Sequence, residues 1–328
     1  SVYQTSISFS SATDIANKGP IFPNRLPVDY KGNGSSSIYF AAPDFRTPYS
    51  QQADIAIERA LTSDLGLTVS YLWTRGLKIV TNRDLNLGPL SGSYTFPIQD
   101  VNGSTVGSFT TPGYLLANRV DTRYQRIYQM ENGGQSWYNG LAVQLNKRFS
   151  KGFQANTAYT WSHAIDEGQG SATDSATVFQ SYGVQSLYNG DYRRDKGSSV
   201  LDQRHRLVFS FVAAPTFTHR SDAFSRYVVN NWQLAGITTL ASARPTSATI
   251  RMVDSRPFTG SAFNTTLNGM AGTTRVPFWP VNSLDIDQTY RLDARITKAI
   301  PISERFKATI NLEGFNITNT VTNTGIYR

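Results

Sequence analysis

The segment FSKGFQANTAYTWSHAID, residues 149–166, decides how the rest of the chain is read. From Phe153 onward every second residue (Phe153, Ala155, Thr157, Tyr159, Trp161) is apolar or weakly polar, and the residues between (Gln154, Asn156, Ala158, Thr160, Ser162) are small or polar. Strict alternation is the period of a β-strand whose two faces meet different surroundings. Alternation alone leaves open whether the apolar face meets a protein core or lipid.

The same period recurs along the chain and predicts eight strands in four pairs. They cover 51–61 with 66–76, 137–149 with 153–164, 204–214 with 232–243, and 289–300 with 305–315. Within three pairs the connection is short, and in the 204–243 pair it is of medium length. Between pairs lie long segments, about 79–135, 167–203 and 244–285, rich in Gly, Asn, Ser and Thr. In an antiparallel meander, connections of one parity gather at one end of the sheet. Short turns at one end and long loops at the other are the asymmetry of a transmembrane β-barrel, and structureless segments of this length are uncommon in a compact soluble domain. A soluble β-sandwich is the competing reading.

Geometry favours the membrane barrel of the two. Eight residue steps from Phe153 to Trp161 span ~26 Å of strand, or ~20 Å of height at a tilt near 40°, close to the ~25 Å apolar band of an outer-membrane barrel. Aromatics stand at both ends of the band: Phe149 and Phe153 beside the short turn, Trp137, Tyr159 and Trp161 toward the long loops. These five are the expected lipid-facing or girdle residues. Arg59, Lys147 and Lys298 interrupt the apolar series, each within a few residues of a short turn, where a long cation is expected to reach the headgroup boundary. The opposite series carries Arg148, Arg291, Asp293, Arg295 and Glu313, the expected lumen-facing residues.

Composition agrees. Aromatics make up 12% of 328 residues and charged residues only 16%, against roughly 25% charged in soluble proteins, so the chain is rich in strand formers and poor in charge. No run approaches the ~18–20 apolar residues of a membrane helix. Cysteine is absent, which excludes disulfides and thiol chemistry within these residues. The net charge of +8 comes from scattered basic residues without a dense stripe, so no nucleic acid is expected as a partner.

The blocks PYSQQADIAIERAL and GLTVSYLWTRG, YNGLAVQLNKRFSKGFQANTAYTWSHAID, DQRHRLVFSFV, NNWQLAGITTLASARP and LDARITKAIPISERFKATINLEGFNITNT resemble the barrel portion of Oar-like TonB-dependent outer-membrane proteins over residues 45–320. The resemblance implies an all-β antiparallel barrel of 22 strands with a plugged lumen, in the outer membrane of a Gram-negative bacterium. It implies uptake of a bulky cargo such as a siderophore, oligosaccharide or peptide. Its implied partners are outer-membrane lipid and, through the plug, the TonB energy-coupling complex. Residues 1–44 are expected to form an N-terminal strand or loop segment of the barrel. Nothing in the chain resembles the plug or the TonB-contacting segment, and TNTGIYR at the end is not an aromatic terminal strand. The expectation is therefore an internal or C-terminal-half piece of a larger barrel. A passive or adhesive surface barrel whose loops bind partners is the alternative.

Catalysis and cofactors are not expected. His163, His205 and His219 are far apart and in no metal-ligand spacing. His163 with Asp166 is a possible base pair but reads better as a polar strand end. Arg204 and Arg206 around His205 suit an acidic group or a solvated end. The run DYRRD, 191–195, carries its own counterions, and Asp166, Glu167 and Asp174 lack the dense oxygen spacing of a calcium loop.

Overall fold

In this computed structural model the described residues are 2–4, 36–167, 189–250, 258–262, 267–270, 274–303 and 305–323. Their strands, in chain order, are β1 (Val2–Gln4), β2 (Ser36–Ala41), β3 (Tyr49–Ala60), β4 (Leu65–Asp84), β5 (Gly92–Gln99), β6 (Thr105–Gly113), β7 (Tyr124–Ser150) and β8 (Phe153–Asp166). After these come β9 (Gly197–Ser198), β10 (His205–Ala213), β11 (Trp232–Ala241), β12 (Pro245–Thr246), β13 (Thr249–Ile250), β14 (Thr274–Arg275), β15 (Leu284–Asp285), β16 (Thr289–Pro301) and β17 (Lys307–Gly314).

A single wall dominates. Strands β3, β4, β7, β8, β10, β11, β16 and β17 pair in that order, every pair antiparallel. These are the eight strands that the alternation predicts. Tight turns close one end. Lys151 and Gly152 both adopt positive φ, 50° and 78°, the conformation of a two-residue hairpin turn matched to strand twist. Leu61 and Thr62 both donate backbone N–H to the Leu65 carbonyl, and Ile302 and Ser303 do the same to Phe306. At the two sides of the wall, β3 pairs with β4 alone and β17 with β16 alone among the described residues, so the wall is not closed.

Register runs unbroken across the wall. Val143 lies opposite Val69 and Tyr159, Tyr159 opposite Leu207, Leu207 opposite Leu240, and Leu240 opposite Tyr290. One residue along, Gln144 lies opposite Thr68 and Ala158, Ala158 opposite Val208, Val208 opposite Thr239, and Thr239 opposite Arg291. Directly opposed residues share a face, so the apolar series of all eight strands falls on one side. A slip of one residue at any pair would invert every strand beyond it.

The segment 79–135 is not structureless. β4 and β7 continue past the predicted strand limits, with Thr81–Asp84 opposite Glu131–Tyr128. At ~3.3 Å per residue their 20 and 27 residues give ~66 and ~90 Å of strand, far more than a ~25 Å apolar band occupies. β2 runs parallel to the distal half of β7, and the hairpin β5–β6 stands between β4 and β7 in sequence. Of the expected N-terminal segment 1–44, most lies outside the described residues, as do 168–188 of the segment 167–203.

Burial follows this division. Among the described wall residues outside the distal halves of β4 and β7, only Gly140, Asp166, Ala241, Lys298 and Ala299 are buried, while Ile57 and Leu312 are each 71% exposed. The apolar core lies instead beyond the wall, where Leu87, Tyr114, Ala262 and Met270 cluster. Leu87 is 1% exposed there. We refer to this end as the cap.

Candidate functional site

The wall presents two chemically distinct faces. On the polar face Arg291 and Asp293 form an ion pair at 3.0 Å along β16, and Arg295 pairs with Glu313 across to β17 at 3.2 Å. Beside them Thr297 donates its hydroxyl to Asn311 at 2.8 Å. Arg148 belongs to the same series at the turn end, where its N–H donates to the Asp64 carbonyl. Along β16 and β17 the face is thus a row of paired charges and amides. On the other face Tyr159 and Trp161 share a series with Leu141 and Val143. Phe153 closes that series at the turn, and Phe149 stands in the bulge between Lys147 and Ser150. Trp137, at the cap end, carries the Lys196 ammonium 4.1 Å from its ring.

Two of the cations in the apolar series are tied to protein partners. Lys147 Nζ meets Asp64 Oδ2 at 2.6 Å and Ser150 Oγ at 2.7 Å, locking the β3–β4 turn to the β7–β8 turn. Hydrogen bonds from Lys147, Ser150 and Thr62 hold the Asp64 carboxyl well below the usual carboxylate range. Lys298 is buried, with Nζ donating to the carbonyls of Val228 and Asn230. For these two, the expectation of a cation reaching for headgroups is corrected: each ammonium neutralises or caps part of its own chain. Sequence reading missed this because the partners lie in turns without periodicity.

The cap is assembled from all three long connections. Asp84, at the end of β4, accepts N–H bonds on Oδ1 from Asn86 at 2.9 Å and Ile127 at 3.2 Å. Its own backbone is clasped by the Asn189 amide, with bonds of 3.1 and 2.8 Å. Burial pushes the Asp84 carboxyl up, against the lowering effect of those N–H bonds and of Arg119 and Arg126. Tyr192 donates to Glu131 at 2.9 Å. Arg275 reaches Asp195 at 3.0 Å, and the Asn282 amide reaches the Ser198 carbonyl at 2.6 Å. Gly133 is required by close approach, since a Cβ there would fall 2.4 Å from the Tyr192 ring. A shallow cleft of about 710 Å³ opens on the cap between Asp44, Arg46, Lys78 and Glu131.

The other polar residues have local partners. Arg204 binds Asp202 at 2.6 Å and donates to His163 Nε2 at 2.7 Å, so His163 faces Arg204 and not Asp166. His205 Nδ1 meets the Tyr159 hydroxyl at 2.8 Å. In DYRRD, Arg194 pairs with Asp191 as expected, but Asp195 takes its cation from Arg275. Asp174 lies outside the described residues. Among the described residues no group of three or more His, Cys, Asp or Glu is placed to hold a metal, and no helix is long and apolar enough to cross a membrane. The second of these says nothing of strands.

Comparison with known proteins bears on the same geometry. No curated protein sequence matches the chain. Among solved structures, the outer membrane transporter YddB from Escherichia coli matches with a TM-score of 0.47 at 9% identity, over 88% of this chain and 31% of that one. The chain therefore spans about a third of the length of that transporter. The family described as outer membrane beta barrel domain matches residues 1–324. With an unbroken two-faced antiparallel wall and a match over nearly its whole length, the chain belongs to the outer membrane β-barrel domain family, and its place is the outer membrane of Gram-negative bacteria.

Proposed function

We propose that this chain is part of the barrel of a TonB-dependent outer-membrane receptor that takes up a bulky ligand through a plugged lumen. One observation carries the reading. The polar face bears Asp54, Glu58, Arg148, Arg206, Arg291, Asp293, Arg295 and Glu313 on eight strands whose outer edges are both unpaired among the described residues. A barrel of eight strands has an interior filled by side chains, and unpaired charge buried there is very costly. The same charges suit a wide lumen holding water and a plug domain, reached by adding strands at β3 and β17. In this reading Val143, Tyr159 and Trp161 meet hydrocarbon, the short turns face the periplasm, and the cap faces outward. The resemblance to Oar-like proteins supports the energy coupling.

A second reading has its own support. The cap is a folded body with an apolar core, which suits a surface barrel that binds partners through its loops. Conductance separates the two. The complete protein, reconstituted in planar bilayers, is expected to insulate until mild urea unfolds the plug, and then to conduct; the purified periplasmic domain of TonB is expected to bind it. Conductance from the outset indicates a passive pore. A barrel that stays closed in urea and binds no TonB indicates an adhesive one.

A further inference from the structure

The connection between β10 and β11, APTFTHRSDAFSRYVVNN at 214–231, is longer than the other turns at its end and is internally built. Asn230 clamps its two arms: Oδ1 accepts the N–H of Phe217 at 3.0 Å and of Thr218 at 3.1 Å, and Nδ2 donates to the Thr218 carbonyl at 2.7 Å. Asp222 starts the helical turn Ser225–Val229 by accepting from the Ser225 N–H at 2.9 Å and the Ser225 hydroxyl at 2.7 Å.

Where this turn sits is fixed by Lys298. Lys298 belongs to the series of Ile296 and lies opposite Trp232, so its side chain leaves the wall on the apolar face. There it donates to Val228 and Asn230 carbonyls and stands 4.9 Å from the Trp232 ring. The Trp232 indole donates to the same Val228 carbonyl at 2.8 Å. The turn is thus folded over the lower border of the apolar face. Its backbone carbonyls satisfy the Lys298 ammonium, and its large apolar side chains are exposed. Phe217 is 62% exposed and Phe224 65%; Tyr227 and Val228 are also exposed, and so are Arg220, Arg226, and Lys151 and Arg305 of the neighbouring turns.

We infer that 214–231 is an interfacial foot that docks on the anionic phospholipid of the leaflet beside the short turns. Aromatic and aliphatic side chains next to Arg and Lys, in one strip bordering an apolar band, are the composition that binds in the plane of a membrane surface. Its continuity with the apolar face selects lipid over a soluble partner. The inference rests on the reading that the apolar face meets hydrocarbon, so the test monitors both. The complete protein carries a single environment-sensitive NBD label at Phe224→Cys, Tyr227→Cys, Val143→Cys or Ser303→Cys, with any cysteine outside these residues changed to serine. It is reconstituted in vesicles containing phosphatidylglycerol or phosphatidylcholine alone, with nitroxide lipids of shallow or deep placement. Labels at 224 and 227 are expected to emit in the blue and to be quenched best by the shallow nitroxide, 143 by the deep one, and 303 by neither. Quenching at 224 is expected to be stronger with phosphatidylglycerol, a difference lost in the Arg220→Gln, Arg226→Gln double variant. Water-like emission at 224 and 227 with 143 still quenched would overturn the foot and leave the wall standing. Blue emission unquenched by either nitroxide would mean that protein covers it, and equal quenching in the two lipids would overturn the anionic preference. No quenching at 143 would remove the wall reading itself.

Discussion

Asn86→Ala removes a side chain that is 1% exposed and that stitches β4 to the start of β7 across the cap. Its Nδ2 donates to the carbonyls of Asp121 at 3.1 Å and Tyr124 at 2.8 Å, and its Oδ1 accepts the Asp121 N–H at 2.8 Å. At about 1 kcal/mol per buried hydrogen bond, with the higher cost of an orphaned N–H partly relieved by water, the loss is ~3 kcal/mol. Since about 1.4 kcal/mol is a factor of ten, the local opening equilibrium should shift by ~100-fold. Trypsin reads this at Arg119, two residues before the stitch, because Arg119 donates its guanidinium to the Tyr124 carbonyl at 3.1 Å, so cleavage there demands opening. When reclosing outpaces cleavage, the rate follows the open population and should rise roughly 100-fold. In the complete protein the barrel itself should remain heat-modifiable on gels, since no wall pair is touched. A rise below about threefold at Arg119, with the cap still intact, would show that the buried amide is not what holds the cap shut.

Three further outcomes are expected. In single-cysteine variants of the assembled barrel, a water-soluble thiol reagent should label positions 144, 160 and 311 much faster than 143, 159 and 310; equal rates would break the register assignment. Because burial raises the Asp84 carboxyl, its contribution to cap stability is greatest below the ordinary carboxylate range and falls as pH rises through the raised value. Protection of the Ile127 amide from hydrogen exchange should therefore weaken with rising pH once intrinsic exchange is divided out, and Asp84→Asn, which keeps an acceptor, should flatten that profile. Expressed alone, the 328 residues should aggregate or stay unfolded in detergent, because among the described residues β3 and β17 leave open edges that lipid cannot satisfy; a monomeric heat-modifiable band would refute this.

The wall was legible because its signal is local. Period-2 alternation in residues such as Val143, Leu145, Gln144 and Asn146 reports two different surroundings strand by strand, and pairing only had to join neighbours. The cap was not legible. In the distal halves of β4 and β7, Thr81, Asn82 and Asp84 are buried against partners far away in sequence, so polarity and burial no longer correlate and alternation vanishes. The parallel pairing of β2 with β7 leaves no sequence mark either. For the candidate residues, the series of Arg291, Asp293, Arg295 and Glu313 was readable from the alternation, whereas the pairing of Lys147 with Asp64 and the burial of Lys298 depend on turn geometry.

The cap also bears on how such a protein is made. Its contacts join residue 84 to 189, 195 to 275 and 198 to 282, pieces borne by connections that leave β4, β8 and β11 of the wall. In the proposed orientation these segments must cross the membrane before they can fold, and a body with its own apolar core would be too bulky to thread. Cap closure is then the final event of biogenesis. In that orientation a misregistered wall would leave the three connections unable to meet, and the chain left open on the cell surface is expected to be sensitive to trypsin.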